Sequence, residues 1–130
     1  KKWPYFNDLI DIIRSKNSKL EIAIAPGPKE IEEAKKIQAI TIINDDKALN
    51  IMELAGLIGK ASYVIANDTG PAHMTAHLNQ SGTVLFGYHT TPEKVSIETD
   101  KFKAITTNDL KNLSAEKVYS EIKSKLDLIN

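Results

Sequence analysis

Apolar residues follow two alternating patterns along the chain, short runs and longer stretches with helical spacing. The short runs are rich in residues that favour strands and end at turn residues; they cover 20–25, 40–43, 62–66, 83–86 and 102–105. In the longer stretches apolar residues lie three or four positions apart; these stretches cover 4–15, 29–39, 50–60, 71–79 and the segment from 114 onward. The pattern predicts strands that alternate with helices.

Alternation at this spacing is typical of the α/β class, here a Rossmann-like parallel sheet with right-handed crossovers and helices on both faces. In such sheets ligands bind beyond the carboxyl ends of the strands. The turns expected at that edge are 26–30, 44–46, 68–70 and 87–90. The polar segment 88–101 is a loop long enough to be functional.

The stretch 62–73 has the pattern of a buried strand that enters a helix through a tight turn. Pro71 suits the first helical turn, and Gly70 brings no side chain and can adopt dihedral angles closed to other residues. A helix start carries unpaired N–H groups and a partial positive charge, so a phosphate could rest on this backbone. The side chains expected around such an anion are those of Asp68, Thr69 and His73.

A plainer interpretation of the same stretch is also open. Thr69 would then cap the helix, Asp68 would end the strand, and His73 would lie on the surface. In the same way, Glu30 and its acidic neighbours could simply complement the dipole at the start of the second helix.

Composition excludes several classes of protein. The chain has 130 residues, enough for one domain with its own core. Its 17 basic and 17 acidic residues cancel, so nothing points to nucleic acid or an anionic membrane surface. No apolar run approaches the roughly 18 residues of a spanning helix, and the lack of cysteine agrees with a reducing compartment. We expect a soluble domain, and the opening Lys1-Lys2-Trp3-Pro4 without a methionine suggests a piece of a longer protein.

Common catalytic motifs are missing from the sequence. There is no phosphate-binding P-loop, no G-x-G-x-x-G turn and no G-x-S-x-G elbow. His73 and His77 lie four positions apart and could in principle hold zinc, but Met74 stands where the metalloprotease motif has its glutamate. We therefore predict neither a metal nor a cofactor.

Four motifs together resemble one known family. They are Lys1-Lys2-Trp3-Pro4, Gly27-Pro28-Lys29-Glu30, Asp68-Thr69-Gly70-Pro71-Ala72-His73, and Phe86-Gly87 followed by Thr90 and Pro92. In order and at suitable intervals, they resemble the C-terminal half of the lipopolysaccharide heptosyltransferases, glycosyltransferase family 9. The resemblance implies that residues 1–130 are the donor-binding domain of a two-domain GT-B enzyme, whose N-terminal acceptor domain lies outside this chain.

The resemblance also implies a ligand and a role for each site residue. The ligand is a nucleoside-diphosphate sugar, commonly ADP-heptose, and the heptose passes to the lipopolysaccharide inner core. Lys1 would neutralise the diphosphate, Glu30 would bind the ribose hydroxyls, and Leu49 would lie along the adenine. The residues implied around the sugar and phosphates are Asp68, Thr69, Gly70 and His73.

No catalytic residue is expected in this chain, because the family's catalytic aspartate belongs to the other half. The resemblance further implies a cytoplasmic enzyme, peripheral to the inner membrane in its full-length form. An alternative from another class stays open on the same fold, a non-catalytic module that binds a nucleotide or a sugar phosphate.

Overall fold

A computed structural model describes residues 3–67, 69–87 and 97–129. Its helices are α1 (Phe6–Lys16), α2 (Ile31–Ala34), α3 (Ile51–Lys60), α4 (Gly70–His77) and α5 (Ala115–Ile129), with a short 3-10 turn at Leu110–Asn112. Its strands are β1 (Ala23–Ile24), β2 (Ile40–Thr41), β3 (Val64–Asn67), β4 (Gly82–Phe86) and β5 (Phe102–Thr106). No helix in these ranges is long and apolar enough to cross a membrane.

Every described strand pair is parallel, as predicted. β1 pairs with β2 in a two-stranded sheet, and β3, β4 and β5 form a three-stranded sheet in that order. The predicted α/β class with a parallel arrangement is confirmed. The first two strands are only two residues each, however, and are therefore shorter than the predicted runs 20–25 and 40–43.

Side chains of β4 alternate between two apolar clusters, so helices cover both faces of the sheet. Leu85 packs with the apolar stripes of α1 and α5, whose Val118, Ile122 and Leu126 are buried. Val84 and Phe86 pack on the opposite face with Ala72 of α4. This alternation follows from the period of two along a strand, and it confirms the predicted covering of both faces.

The second predicted helix is much shorter than its apolar pattern suggested. The pattern predicted a helix over 29–39, but α2 ends at Ala34. The side chain of Asn7 binds the following segment, since its amide donates to the Lys36 carbonyl (3.1 Å) and its oxygen accepts the Gln38 N–H (2.8 Å). These bonds from α1 occupy backbone groups that a longer helix would use, and sequence separation hides them from pattern analysis.

A tight turn at the end of α4 leads the chain directly into β4. Asn79 has a left-handed φ of 54°, and the N–H groups of Asn79 and Gln80 donate to the Ala76 and Thr75 carbonyls, as in a Schellman motif. The Gln80 amide then donates to the Ile58 and Gly59 carbonyls at the end of α3 (3.0 and 3.3 Å). The two helices are thereby joined at the edge opposite the predicted site.

Candidate functional site

The turn between β3 and α4 has the backbone of a helix start, but its threonine does not cap. Thr69 is extended (φ −143°, ψ 177°) and precedes the first helical residue. Its hydroxyl donates to the Asn67 carbonyl (3.3 Å) instead of accepting from the helix, while its carbonyl accepts the N–H groups of Ala72 and His73 (3.0 and 3.3 Å). The plainer interpretation of Thr69 as a capping side chain is therefore wrong.

Gly70 gives the helix start an open surface. A Cβ atom on Gly70 would meet no described atom within 4 Å, and its φ is not positive. The expectation that Gly70 adopts dihedral angles closed to other residues is therefore wrong, because other residues can adopt its conformation too. What the glycine does supply is room for a ligand to approach the backbone of the first turn of α4.

The side chains of Thr69 and His73 are exposed at this helix start, while Ala72 and Thr75 on the other face of α4 are buried. His77 is also exposed, one turn further along. Among the described residues, no group of three or more His, Cys, Asp or Glu side chains could hold a metal ion. Asp68 lies outside the described residues, as do Lys1 and the segment 88–96 of the predicted loop.

Trp3 fixes the N-terminal segment against the carboxyl end of β3. The residue is 2% exposed, and its Nε1 donates to the Leu113 carbonyl (2.7 Å). The ring also makes an edge contact with Phe6, with centroids 5.0 Å apart. Its backbone N–H donates to Oδ1 of Asn67 at 3.2 Å, across 64 positions of sequence. Sequence analysis gave Asn67 no role; the one available signal was a polar residue at the end of an apolar strand, directly before Asp68.

A second polar turn follows the carboxyl end of β1. The Gly27 N–H donates to Oε1 of Glu30 (3.3 Å), and the Glu30 N–H donates to the Gly27 carbonyl (3.0 Å). Gly27, Pro28, Lys29 and Glu30 line an open cavity of about 460 Å³. Glu30 precedes α2 without capping it through its side chain. The predicted ribose-binding carboxylate thus lies beside a cavity.

The turn after β2 and the start of α3 form a connected polar unit. Asp45 and Asp46 both have positive φ (50° and 63°), as a type I′ turn requires. Asn44 donates to Oε2 of Glu53 (2.6 Å), and Glu53 forms the predicted capping box with Asn50. The half-buried Leu49 directly precedes this cap, and the apolar residues after it are exposed; Ile51 is 75% and Met52 81% exposed.

These observations define a Rossmann-like α/β domain whose polar turns follow the carboxyl ends of β1, β2 and β3. Residues 1–124 match glycosyltransferase family 9 (heptosyltransferase), and the chain belongs to this family. The resemblance drawn from the four motifs is thereby confirmed. No curated protein matches the chain significantly.

The fold is similar to that of heptosyltransferases from E. coli. The structure of WaaC with ADP has a TM-score of 0.84 at 24% identity, over 96% of this chain and 40% of that one. WaaC with ADP-2-deoxy-2-fluoro heptose has a TM-score of 0.80 at 24% identity, over 95% and 39%. ADP-heptose lps heptosyltransferase II has a TM-score of 0.79 at 16% identity, over 99% and 43%. The chain spans about two fifths of the length of these proteins.

Proposed function

We propose that this chain is the donor-binding part of a glycosyltransferase that takes heptose from ADP-heptose and adds it to the lipopolysaccharide inner core. The observation that carries the proposal is the match of residues 1–124 to family 9. The similar structures of WaaC hold ADP and an ADP-heptose analogue, which supports a nucleoside-diphosphate sugar as the ligand of this chain too.

The diphosphate is proposed to bind at the first turn of α4. Gly70 leaves open space there, and the helix dipole favours negative charge at this end. The Thr69 hydroxyl and the His73 ring are exposed beside it. In the proposed site, Asp68 accepts hydrogen bonds from sugar hydroxyls and Lys1 neutralises the diphosphate.

The adenosine half is proposed to extend toward the turns after β1 and β2. The Glu30 carboxylate borders the cavity of about 460 Å³ and would accept hydrogen bonds from the ribose hydroxyls. Leu49 would contact the adenine with its apolar side chain.

In the proposed reaction the departing diphosphate gains negative charge as the bond to the sugar breaks. Such charge is stabilised best by groups that are already in place, and the proposed site supplies a lysine, a histidine and the start of a helix. The base that activates the acceptor would come from the N-terminal acceptor domain, and so would the binding site for the lipopolysaccharide core. We propose that the full enzyme works in the cytoplasm, peripheral to the inner membrane.

Calorimetric titration of the 130-residue chain tests the ligand. ADP-heptose and ADP are expected to bind, and AMP is expected to bind more weakly because it lacks one of the two phosphates. Because the acceptor domain would form half of the cleft, we expect dissociation constants of roughly micromolar to millimolar. Absence of ADP binding at millimolar concentration would contradict the proposal. Equal affinity for ADP and AMP would show that the site does not bind the diphosphate as proposed.

A further inference from the structure

Gly27 and Glu30 approach each other closely in the turn after β1. The Gly27 N–H donates to Oε1 of Glu30 (3.3 Å), and the Glu30 N–H donates to the Gly27 carbonyl (3.0 Å). A Cβ atom on Gly27 would stand 2.9 Å from the same Oε1 and 3.8 Å from Cδ of Glu30. Among the described atoms beyond the adjacent residues, it would meet no others within 4 Å. The Glu30 carboxylate therefore occupies the space that a side chain at position 27 would need.

This close approach, and not a left-handed backbone, accounts for a glycine at position 27. The φ of Gly27 is not in the positive range that favours glycine. Real Cβ atoms essentially never lie within 3.0 Å of such a neighbour, so an alanine here would have to displace the carboxylate. Oε1 of Glu30 would move from 2.9 Å to at least 3.4 Å, where ordinary van der Waals contact begins.

The carboxylate would move more readily than the backbone of the turn. Gly27 lies between Pro26 and Pro28, whose rings fix their own φ angles and stiffen the chain. The Glu30 carboxylate, by contrast, is the end of a flexible side chain. Gly27→Ala is therefore expected to leave the fold largely unchanged and to shift this one carboxylate.

The shift would occur beside the cavity of about 460 Å³ that residues 27–30 line. We propose that Gly27 is a positioning residue, whose N–H and missing side chain together hold the Glu30 carboxylate where it binds the ribose of the donor. A binding group has to be held within about 0.5 Å of its productive position, so the displacement by alanine is large enough to weaken the contact. This inference rests on the proposed function, because Gly27 acts on the ligand only through Glu30.

Titration with three ligands tests Gly27→Ala against the wild type. The ligands are ADP, 2′,3′-dideoxy-ADP, which lacks both ribose hydroxyls, and pyrophosphate, which lacks the whole nucleoside. Misplacing a hydrogen-bonded carboxylate is expected to weaken ADP binding roughly three- to tenfold. The dideoxy nucleotide and pyrophosphate are expected to keep their affinity, so the preference for ADP over 2′,3′-dideoxy-ADP falls. A purely structural role of Gly27 would instead weaken the binding of all three ligands together.

A double variant shows whether the effect passes through the carboxylate. Once Glu30→Ala has removed the carboxylate, adding Gly27→Ala should weaken ADP binding no further, because the new methyl group has nothing left to displace. Gly56→Ala is the matched control, since it adds the same methyl group at an exposed glycine of α3 where a Cβ meets nothing within 4 Å. It is expected to leave the affinity for all three ligands unchanged.

The outcomes separate the inference from the proposed function. A wild-type chain that fails to bind ADP overturns both. A wild-type chain that binds ADP, with a preference over 2′,3′-dideoxy-ADP that Gly27→Ala does not change, overturns only the positioning role. Losses of ADP affinity that add in the double variant also overturn that role. So does a marked fall in the unfolding temperature of Gly27→Ala that Glu30→Ala does not relieve, because the methyl group would then meet something other than the carboxylate.

Discussion

Gly82 lies so close to Val64 that a Cβ atom on Gly82 would overlap the Val64 carbonyl oxygen. The two residues are register partners where β3 and β4 begin to pair, and the ring of Phe102 on β5 would stand only 3.0 Å from the same Cβ. Neither neighbour can move freely, since one is backbone in a ladder and the other is fully buried. The glycine therefore permits the close approach of strands that form the centre of the sheet.

Gly82→Ala is accordingly expected to lower the free energy of unfolding by about 2 kcal/mol or more, as overpacking a rigid site does. Gly56→Ala is the matched control, because a Cβ there meets nothing within 4 Å. In the exposed part of α3 that change is expected to stabilise by up to about 1 kcal/mol. Urea unfolding of both variants measures the difference, and similar values for the two would contradict the packing argument.

Local signals predicted most of the elements correctly. The capping box of Asn50 and Glu53, the helix start at Gly70 and Pro71, and the apolar seam of α5 all depend on residues close in sequence. Such features are readable because the interacting groups lie within one or two helical turns of each other.

Long-range hydrogen bonds account for what the sequence analysis missed. Asn7 shortens α2 across about 30 positions, and Asn67 anchors Trp3 across 64. Each is an ordinary amide in the sequence, and nothing local indicates its partner. The binding roles of all seven predicted site residues stay predictions, and two of these residues, Lys1 and Asp68, lie outside the described residues.

The pH dependence of stability is expected to involve Tyr119. Burial and the nearby Asp127 carboxylate raise the pKa of Tyr119 above its ordinary value of 10.0, and its hydroxyl lies 3.2 Å from Oδ1 of the buried Asn17. An acid whose pKa is higher in the folded state binds its proton more tightly there. Its stabilisation is present below pH 10 and is lost as the pH rises through the folded-state pKa.

Tyr119→Phe is therefore expected to be less stable than the wild type at pH 8, because Asn17 loses a hydrogen bond. Between pH 8 and pH 11 the variant is expected to lose less stability than the wild type loses. Part of the alkaline dependence should remain, since burial also raises the pKa of Tyr63, partly offset by a hydrogen bond with Thr83. Urea unfolding at the two pH values measures both effects. A variant as pH-sensitive as the wild type would rule out Tyr119 as a source.

Glu30→Ala separates ribose binding from a structural role. If Glu30 binds the ribose, ADP affinity falls roughly tenfold or more while pyrophosphate affinity is unchanged, because pyrophosphate has no ribose. If Glu30 only supports its turn through the Gly27 N–H, both ligands lose affinity together. Glu32→Ala is the matched control, since that side chain is 87% exposed and pairs with Lys35 on the helix surface. Competition titrations with the two ligands distinguish the cases.

Gly70→Val tests whether the first turn of α4 binds the diphosphate. A valine side chain there meets no described atom within 4 Å at its Cβ, so the fold should tolerate it, but it would occupy the space through which a phosphate approaches the backbone. We expect ADP affinity to fall more than about tenfold while the unfolding temperature changes by only a few degrees. Gly56→Val makes the same chemical change at an equally open glycine in α3 and should leave ADP binding intact. Calorimetric titration of both variants with ADP measures the difference. If Gly70→Val binds ADP as tightly as the wild type, the diphosphate binds elsewhere, because the valine side chain would block access to this backbone.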